Sequence, residues 1–293
     1  MLYRKKILLA IVELFGREIN ATDFQKILFL FSEKQIDRKY DFVPYKYGCF
    51  SFQAMADKNS LIKEGYLANT RNWKINIDYA NFINTLNEID RKTLSKLKQQ
   101  IDNFSTEELI RQVYLNYPYF AINSEIVSKY LNEKETQIVN RFKPQTTTEG
   151  IFTIGYEGKS IEKYLNTLIQ QNIKILCDVR KNPLSRKYGF AKRTLQNACE
   201  SVNIKYIHLP ELGIISEKRK NLITQNDYDN LFVDYEKEVL PNQQKEIMLI
   251  HNLIKTYGRV ALTCYEALPK QCHRTKVADA VHSLDLKIPI IHL

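Results

Sequence analysis

Ile151-Phe152-Thr153-Ile154-Gly155 and Ile173-Lys174-Ile175-Leu176-Cys177-Asp178-Val179 are short apolar runs rich in β-branched residues. Between them, from Ser160, the residues Tyr164, Leu165, Leu168 and Ile169 recur at helical spacing. A strand, a helix and a second strand in that order place the two strands parallel in one sheet, because the helix carries the chain back to the starting edge. The alternation continues outward. A helix over residues 194–202 leads to the strand Tyr206-Ile207-His208-Leu209. Two helical stretches, over about 227–239 and 242–256, lead to Arg259-Val260-Ala261-Leu262-Thr263-Cys264. A helix over about 270–284 leads to a last strand, Ile288-Pro289-Ile290-Ile291-His292. The spacing therefore predicts an α/β domain over 151–293: a parallel Rossmann-like sheet with helices on both faces. Ligands of such sheets lie beyond the carboxyl ends of the strands.

The predicted strand ends carry the polar chemistry. The first is followed by Tyr156, Glu157 and Lys159; the second ends in Asp178 and Arg180 and continues through Ser185 and Arg186; the fourth ends in Cys264 and Glu266, ahead of Cys272, His273 and Arg274. Carboxylates among arginines stay ionised, which suits general acid–base work on an anionic substrate. Glu266, Asp178, Tyr156 and Cys264 are thus candidate catalytic residues. Arg180, Ser185, Arg186, Arg274 and His273 are candidate phosphate or nucleic-acid ligands, and Tyr156 is the ring on which a flipped base would stack.

Upstream, Ile7, Leu8, Ile11, Val12, Leu14 and Phe15 predict one helix, and a second follows a Thr22 cap through Phe24, Ile27, Leu28 and Phe31. A third covers about 51–63. Tyr66-Leu67-Ala68 and residues 73–77 then flank the turn-rich tip Asn69-Thr70-Arg71-Asn72. Three helices and a ribbon make a winged-helix-like pattern over 1–77. In a DNA-binding use the third helix enters the major groove while Arg71 and Lys74 contact phosphates; the competing use is protein contact. Residues 78–145 read as a helical connector, with Leu86, Ile89, Leu94, Leu97 and Ile101 on one face and a further helix from Ser105 or Thr106. The polar stretch Lys143-Pro144-Gln145-Thr146-Thr147-Thr148-Glu149-Gly150 is the expected linker.

The chain has 293 residues, a 44% hydrophobic and 26% charged composition, and a net charge of +10, which excludes a mainly disordered protein and favours an acidic partner. Residues 1–75, 76–150 and 151–293 carry +5, −1 and +6, so the excess belongs to the two folded ends. Nucleic acid, most simply DNA, is the expected partner; a homo-oligomer fits equally, and a membrane does not. The apolar run from Ile7 to Val12 is broken at Glu13, far short of a span of about 20 residues. The five cysteines form no CxxC pair, which suggests a reduced, cytoplasmic protein.

Four strings in order, TIGYEGKS (153–160), CDVRKNPLSRKYGF (177–190), YIHLPELG (206–213) and LTCYEALPKQCHR (262–274), resemble the pattern of domain-of-unknown-function family 488. The resemblance covers roughly 151–293 and implies an α/β fold, with Gly155, Tyr156, Asp178, Arg180, Pro183, Ser185, Arg186, Cys264, Glu266, Cys272, His273 and Arg274 as motif positions. It implies no particular chemistry. Tyr47-Gly48-Cys49-Phe50-Ser51, in the amino-terminal part, resembles phage-associated Panacea-type antitoxin domains.

Three chemistries compete at the strand ends. A thiol mechanism would use Cys264, or Cys272 with its pKa lowered by a helix dipole and Arg274. Zinc would draw on Cys264, Cys272 and His273 with His208 or Cys177; adjacent Cys272 and His273 are expected to point apart, which ranks zinc below a divalent metal held by the acids. No cofactor is assigned. The acid–base option fits a hydrolase cutting a glycosidic or phosphodiester bond, including base excision. The expected function is therefore a nucleic-acid-processing enzyme, with a non-catalytic nucleic-acid-binding or regulatory protein as the alternative.

Overall fold

The computed structural model describes residues 1–77, 81–219 and 222–293, so the first residues of the expected connector, 78–80, lie outside it. The chain divides into two compact units, Met1–Lys143 and Pro144–Leu293.

The first unit contains α1 (Tyr3–Leu14), β1 (Glu18–Ile19), α2 (Ala21–Lys34), β2 (Val43–Tyr45), β3 (Gly48–Phe50), α3 (Phe52–Lys63), β4 (Trp73–Lys74), α4 (Glu88–Ile101), α5 (Thr106–Asn116), α6 (Val127–Tyr130) and α7 (Glu133–Arg141). Asn20, not Thr22, caps α2: its side chain accepts from the Asp23 amide, while Thr22 already lies within the helix. An oxygen on a residue of extended backbone meets the free amides of the first turn, whereas a helical residue cannot. Ser51 caps α3 in the same way, and Ser105 and Glu108 form a reciprocal capping box at α5. The ribbon forms by two pairings. β4 runs antiparallel to β1, and Leu67 bridges to Ile75. Ile89, expected on the buried face of α4, is exposed, since that face runs through Asp90, Leu94, Leu97 and Ile101. The rings of Tyr117 and Phe120 pack edge-on against Phe29 of α2.

The second unit contains β5 (Gly150–Gly155), α8 (Ile161–Gln170), β6 (Ile175–Asp178), α9 (Lys192–Glu200), β7 (Lys205–His208), α10 (Gln225–Glu238), α11 (Gln244–Tyr257), β8 (Arg259–Cys264), α12 (Arg274–His282) and β9 (Ile290–His292). All five strands are parallel, in the order β7-β6-β8-β5-β9. Both layers of side chains are apolar, as a sheet covered on both faces requires. Ile151, Ile175, Cys177, Val260 and Leu262 join one core with Phe232, Tyr235, Ile250, Ile254 and Val277 from α10, α11 and α12. The alternate positions face α8 and α9: Tyr164 of α8 donates its hydroxyl to Thr263 Oγ1 at 2.7 Å. The described residues include no helix long and apolar enough to cross a membrane.

The connection from β6 leads outward to β7, and that from β8 leads the opposite way to β9. The carboxyl ends of these neighbouring strands, with Asp178 paired to Thr263, are therefore the switch point of the sheet. Two glycines are fixed there by close approach. A Cβ on Gly155 would fall 1.8 Å from the Glu266 carbonyl oxygen, and one on Gly213 would fall 2.0 Å from the Lys181 amide nitrogen. Backbone cannot yield as a flexible side chain can. Gly155→Ala is expected to destabilise the second unit by about 2 kcal/mol or more, read as a lowered denaturant midpoint; an unchanged midpoint would show that the β8–α12 loop can move aside.

Candidate functional site at the strand ends

At the end of β6, Asp178 is fully buried and its carboxylate is saturated. Oδ1 accepts from the Arg180 amide at 3.1 Å and from Nε at 2.8 Å, and Oδ2 accepts from Arg180 Nη2 at 2.5 Å and from the Tyr206 hydroxyl at 2.6 Å. Arg180 spends Nη1 on the Tyr156 hydroxyl at 3.0 Å and the Phe190 carbonyl at 2.9 Å. Burial alone would lower the pKa of this guanidinium; the Asp178 carboxylate outweighs it and the net shift is upward. The Tyr156 ring lies 4.3 Å from that of Phe190, at 9°. The network is closed on itself.

A different set gathers at the end of β8. Cys264 Sγ lies 3.3 Å from Glu266 Oε2 and 3.9 Å from His273 Nδ1. The ligand atoms of Cys264, Cys272 and His273 all lie within 4.8 Å of one another, and all three residues are buried. His273 Nε2 donates to the Val179 carbonyl at 3.0 Å, which holds the ring with Nδ1 facing Cys264. The hydrogen bond from Cys272, then His273 and Arg219, hold the Cys264 thiol well below its usual range against its burial, while burial pushes Cys272 well above it. Glu266 is ion-paired with Arg219. Arg274 is fully buried, donating to the carbonyls of Glu266 at 2.6 Å and Ala267 at 3.1 Å, so it shapes the loop that carries Glu266. Tyr235 packs its ring edge-on to His273, at 5.7 Å and 72°, and lines a groove of about 220 Å³ shared with Lys181, Glu211, Ile215, Lys218 and Asp234.

A family model described as Domain of unknown function DUF488 matches residues 160–281. The carboxy-terminal unit carries a DUF488 domain. No curated protein and no solved structure matches the chain. The match to DUF488 takes in both networks apart from Tyr156.

The DUF488 domain separates what the sequence grouped. Arg180, His273 and Arg274, expected to bind phosphate, are instead buried: Arg180 and His273 donate to protein acceptors, and Arg274 spends both terminal nitrogens on backbone carbonyls, leaving only its buried Nε without a partner. Tyr156, expected to stack on a base, has its face occupied by Phe190. Asp178 has no lone pair to offer a substrate, whereas Glu266 shares its carboxylate with a thiol and a partly exposed arginine. Ser185 accepts from the Lys187 amide, and Arg186 is exposed. His208 and Cys177 stay outside the cysteine cluster: His208 is bonded through both nitrogens to Arg180 O and Lys192, and Cys177 sits in the apolar core, its thiol pushed up to about 12 by burial. Cys272 and His273 were expected to diverge. Cys272 is extended (φ −137°, ψ 130°) and His273 helical (φ −61°, ψ −17°), and this change at the start of α12 turns both side chains toward Cys264. In the first unit Arg71 is exposed on the ribbon tip, its carbonyl accepting from Lys58, and Lys74 pairs with Glu18 at 3.0 Å. Sequence reasoning missed Tyr206 and Arg219. Tyr206 opens the YIHLPELG string, where nothing in the spacing marks it as a partner of Asp178, and Arg219 sits in the charged run 217–220 as one cation among several.

Removing one partner of the Asp178–Arg180 pair strands a buried charge. Asp178→Asn is expected to cost about 3–5 kcal/mol, and Tyr206→Phe about 1–2 kcal/mol, by chemical denaturation. Wild-type stability in Asp178→Asn would show that the pair is not structural.

Proposed function

We propose that the DUF488 domain is a nucleic-acid-processing hydrolase, with Glu266 as its acid–base residue. The observation that carries this reading is the loop after β6. Residues 180–193 contain six basic residues, Arg180, Lys181, Arg186, Lys187, Lys192 and Arg193, and no acidic one. Arg180 is tied inward; Lys181, Arg186, Lys192 and Arg193 are exposed, with Leu184 and Tyr188 exposed among them. Positive charge interleaved with an exposed ring suits a phosphate backbone and its bases.

The loop adjoins the cysteine cluster through the backbone. Lys187 Nζ donates to the Tyr156 carbonyl, and the Tyr156 amide donates to the Tyr265 carbonyl, one residue before Glu266. Tyr265, with 44% of its surface exposed, is the ring at this rim open to a base, the place that Tyr156 cannot fill. Arg219 pairs with Glu266 and so orients its carboxylate, as a residue that takes a proton from water must be oriented. The amino-terminal unit serves on this reading as the recruiting module, with Arg71 at the exposed tip of its ribbon.

Binding to labelled single- and double-stranded DNA over a range of salt is the first check. The expected dependence is log-linear, and Arg186→Ala and Arg193→Ala each reduce the slope by about 1. No binding at low salt overturns the proposal. Among modified and unmodified DNA substrates, Glu266→Gln is expected to slow product formation by about 10²–10⁴-fold. Binding without product from any of them favours the non-catalytic, regulatory reading.

A further inference from the structure

We propose that Cys264, Cys272 and His273 bind one zinc ion. Zinc bound tetrahedrally by thiolate and imidazole places its ligand atoms roughly 3.5–3.8 Å from one another, given Zn–S near 2.3 Å and Zn–N near 2.0 Å. The three ligand atoms here already lie within 4.8 Å of one another, and Cys264 Sγ and His273 Nδ1 are 3.9 Å apart. Only a slight contraction brings them onto a common ion.

Three further features fit the same ligand. The Val179 carbonyl accepts a hydrogen bond from His273 Nε2 and so turns Nδ1 toward the cluster, which is the outer support that metal-bound histidines use. Two sulfurs and an imidazole form a soft set, suited to zinc and poorly suited to magnesium or calcium. The charges also balance. Two thiolates neutralise a divalent cation, the imidazole adds none, and the charge of Glu266 is matched by Arg219. A buried site therefore gains an ion without gaining net charge.

Zinc is usually four-coordinate, so three protein ligands leave one position. Glu266, 3.3 Å from Cys264 Sγ, does not join the set of mutually close ligand atoms and stands beside it. Three ligands with an adjacent carboxylate outside them is the arrangement that hydrolytic zinc sites use. This step rests on the hydrolase reading: Glu266 would take a proton from water as the water oxygen bonds to the substrate and the bond from that substrate atom to the leaving group breaks, and the proton then passes to the leaving group.

The test is metal analysis of the full chain, purified under reducing conditions without chelator and without a metal-binding tag. One zinc per chain is expected. Replacement by cobalt should give thiolate-to-cobalt charge-transfer absorption and the intense visible bands of a tetrahedral site. Cys272→Ser is expected to weaken zinc binding by more than about 100-fold, beyond the range for loss of an outer-shell partner, while Cys49→Ser, in the other unit, keeps it. Should Cys272→Ser fail to fold, the cobalt spectrum of the wild-type chain decides alone. Substoichiometric metal after reconstitution, a cobalt spectrum without thiolate bands, or a Cys264–Cys272 disulfide in the purified protein each overturns the site. These readings need no nucleic acid. A zinc protein that leaves all nucleic acid intact sinks the hydrolase alone, and a metal-free protein that cleaves it sinks only the zinc.

Discussion

Three consecutive residues at the end of β6 hold the rim of the DUF488 domain together. Asp178 points into one side and receives both edges of the Arg180 guanidinium, while Val179 between them turns its carbonyl to His273. One side of this step anchors the basic loop, because Arg180 also grips Phe190 and Tyr156. The other side sets the orientation of His273 toward the cysteine cluster. The buried ion pair contributes little as a net attraction, since desolvating two charges offsets most of their Coulomb gain. Its consequence is positional: a charge that cannot be left alone holds two loops in one arrangement.

The fold was legible because its signals are local. Strand runs and helical periods were readable, and the α/β class follows from their alternation. Element ends moved by a few residues, as for the helix expected over 270–284 and found over Arg274–His282. The strand order was not legible, because β5 and β6 are successive in the chain yet separated by β8, and sequence spacing carries no information on which strand inserts between them.

The candidate site was legible in residue type and not in partition. Asp178, Arg180, Cys264, Glu266, Cys272, His273 and Arg274 stood out by their place after strands, and the structure brings them to one edge of the sheet. Which face each one takes depends on strand parity. Asp178 follows Leu176 on the α8–α9 side, whereas Cys264 follows Leu262 on the side of α10, α11 and α12. A shift of one residue in either strand would exchange those faces. The meeting of Cys272 with His273 escaped notice for a related reason. Neighbouring side chains diverge in a strand, but the rule lapses where the backbone passes from extended to helical.

The arginines show why net charge was a coarse guide to function. Arg180 and Arg274 belong to the basic count, yet each serves as a planar fork with several directed donors that span separate acceptors, Asp178, Tyr156 and Phe190 in one case and Glu266 and Ala267 in the other. A lysine at either position would supply one compact charge and leave acceptors unmet. Arg186, exposed on the loop, and Arg193, exposed in the first turn of α9, carry no such geometric demand, and at a phosphate backbone a point charge serves nearly as well. The same residue type is thus used twice in one loop, once for its shape and once for its charge. The shape-bearing arginine is what lets the charge-bearing ones face outward.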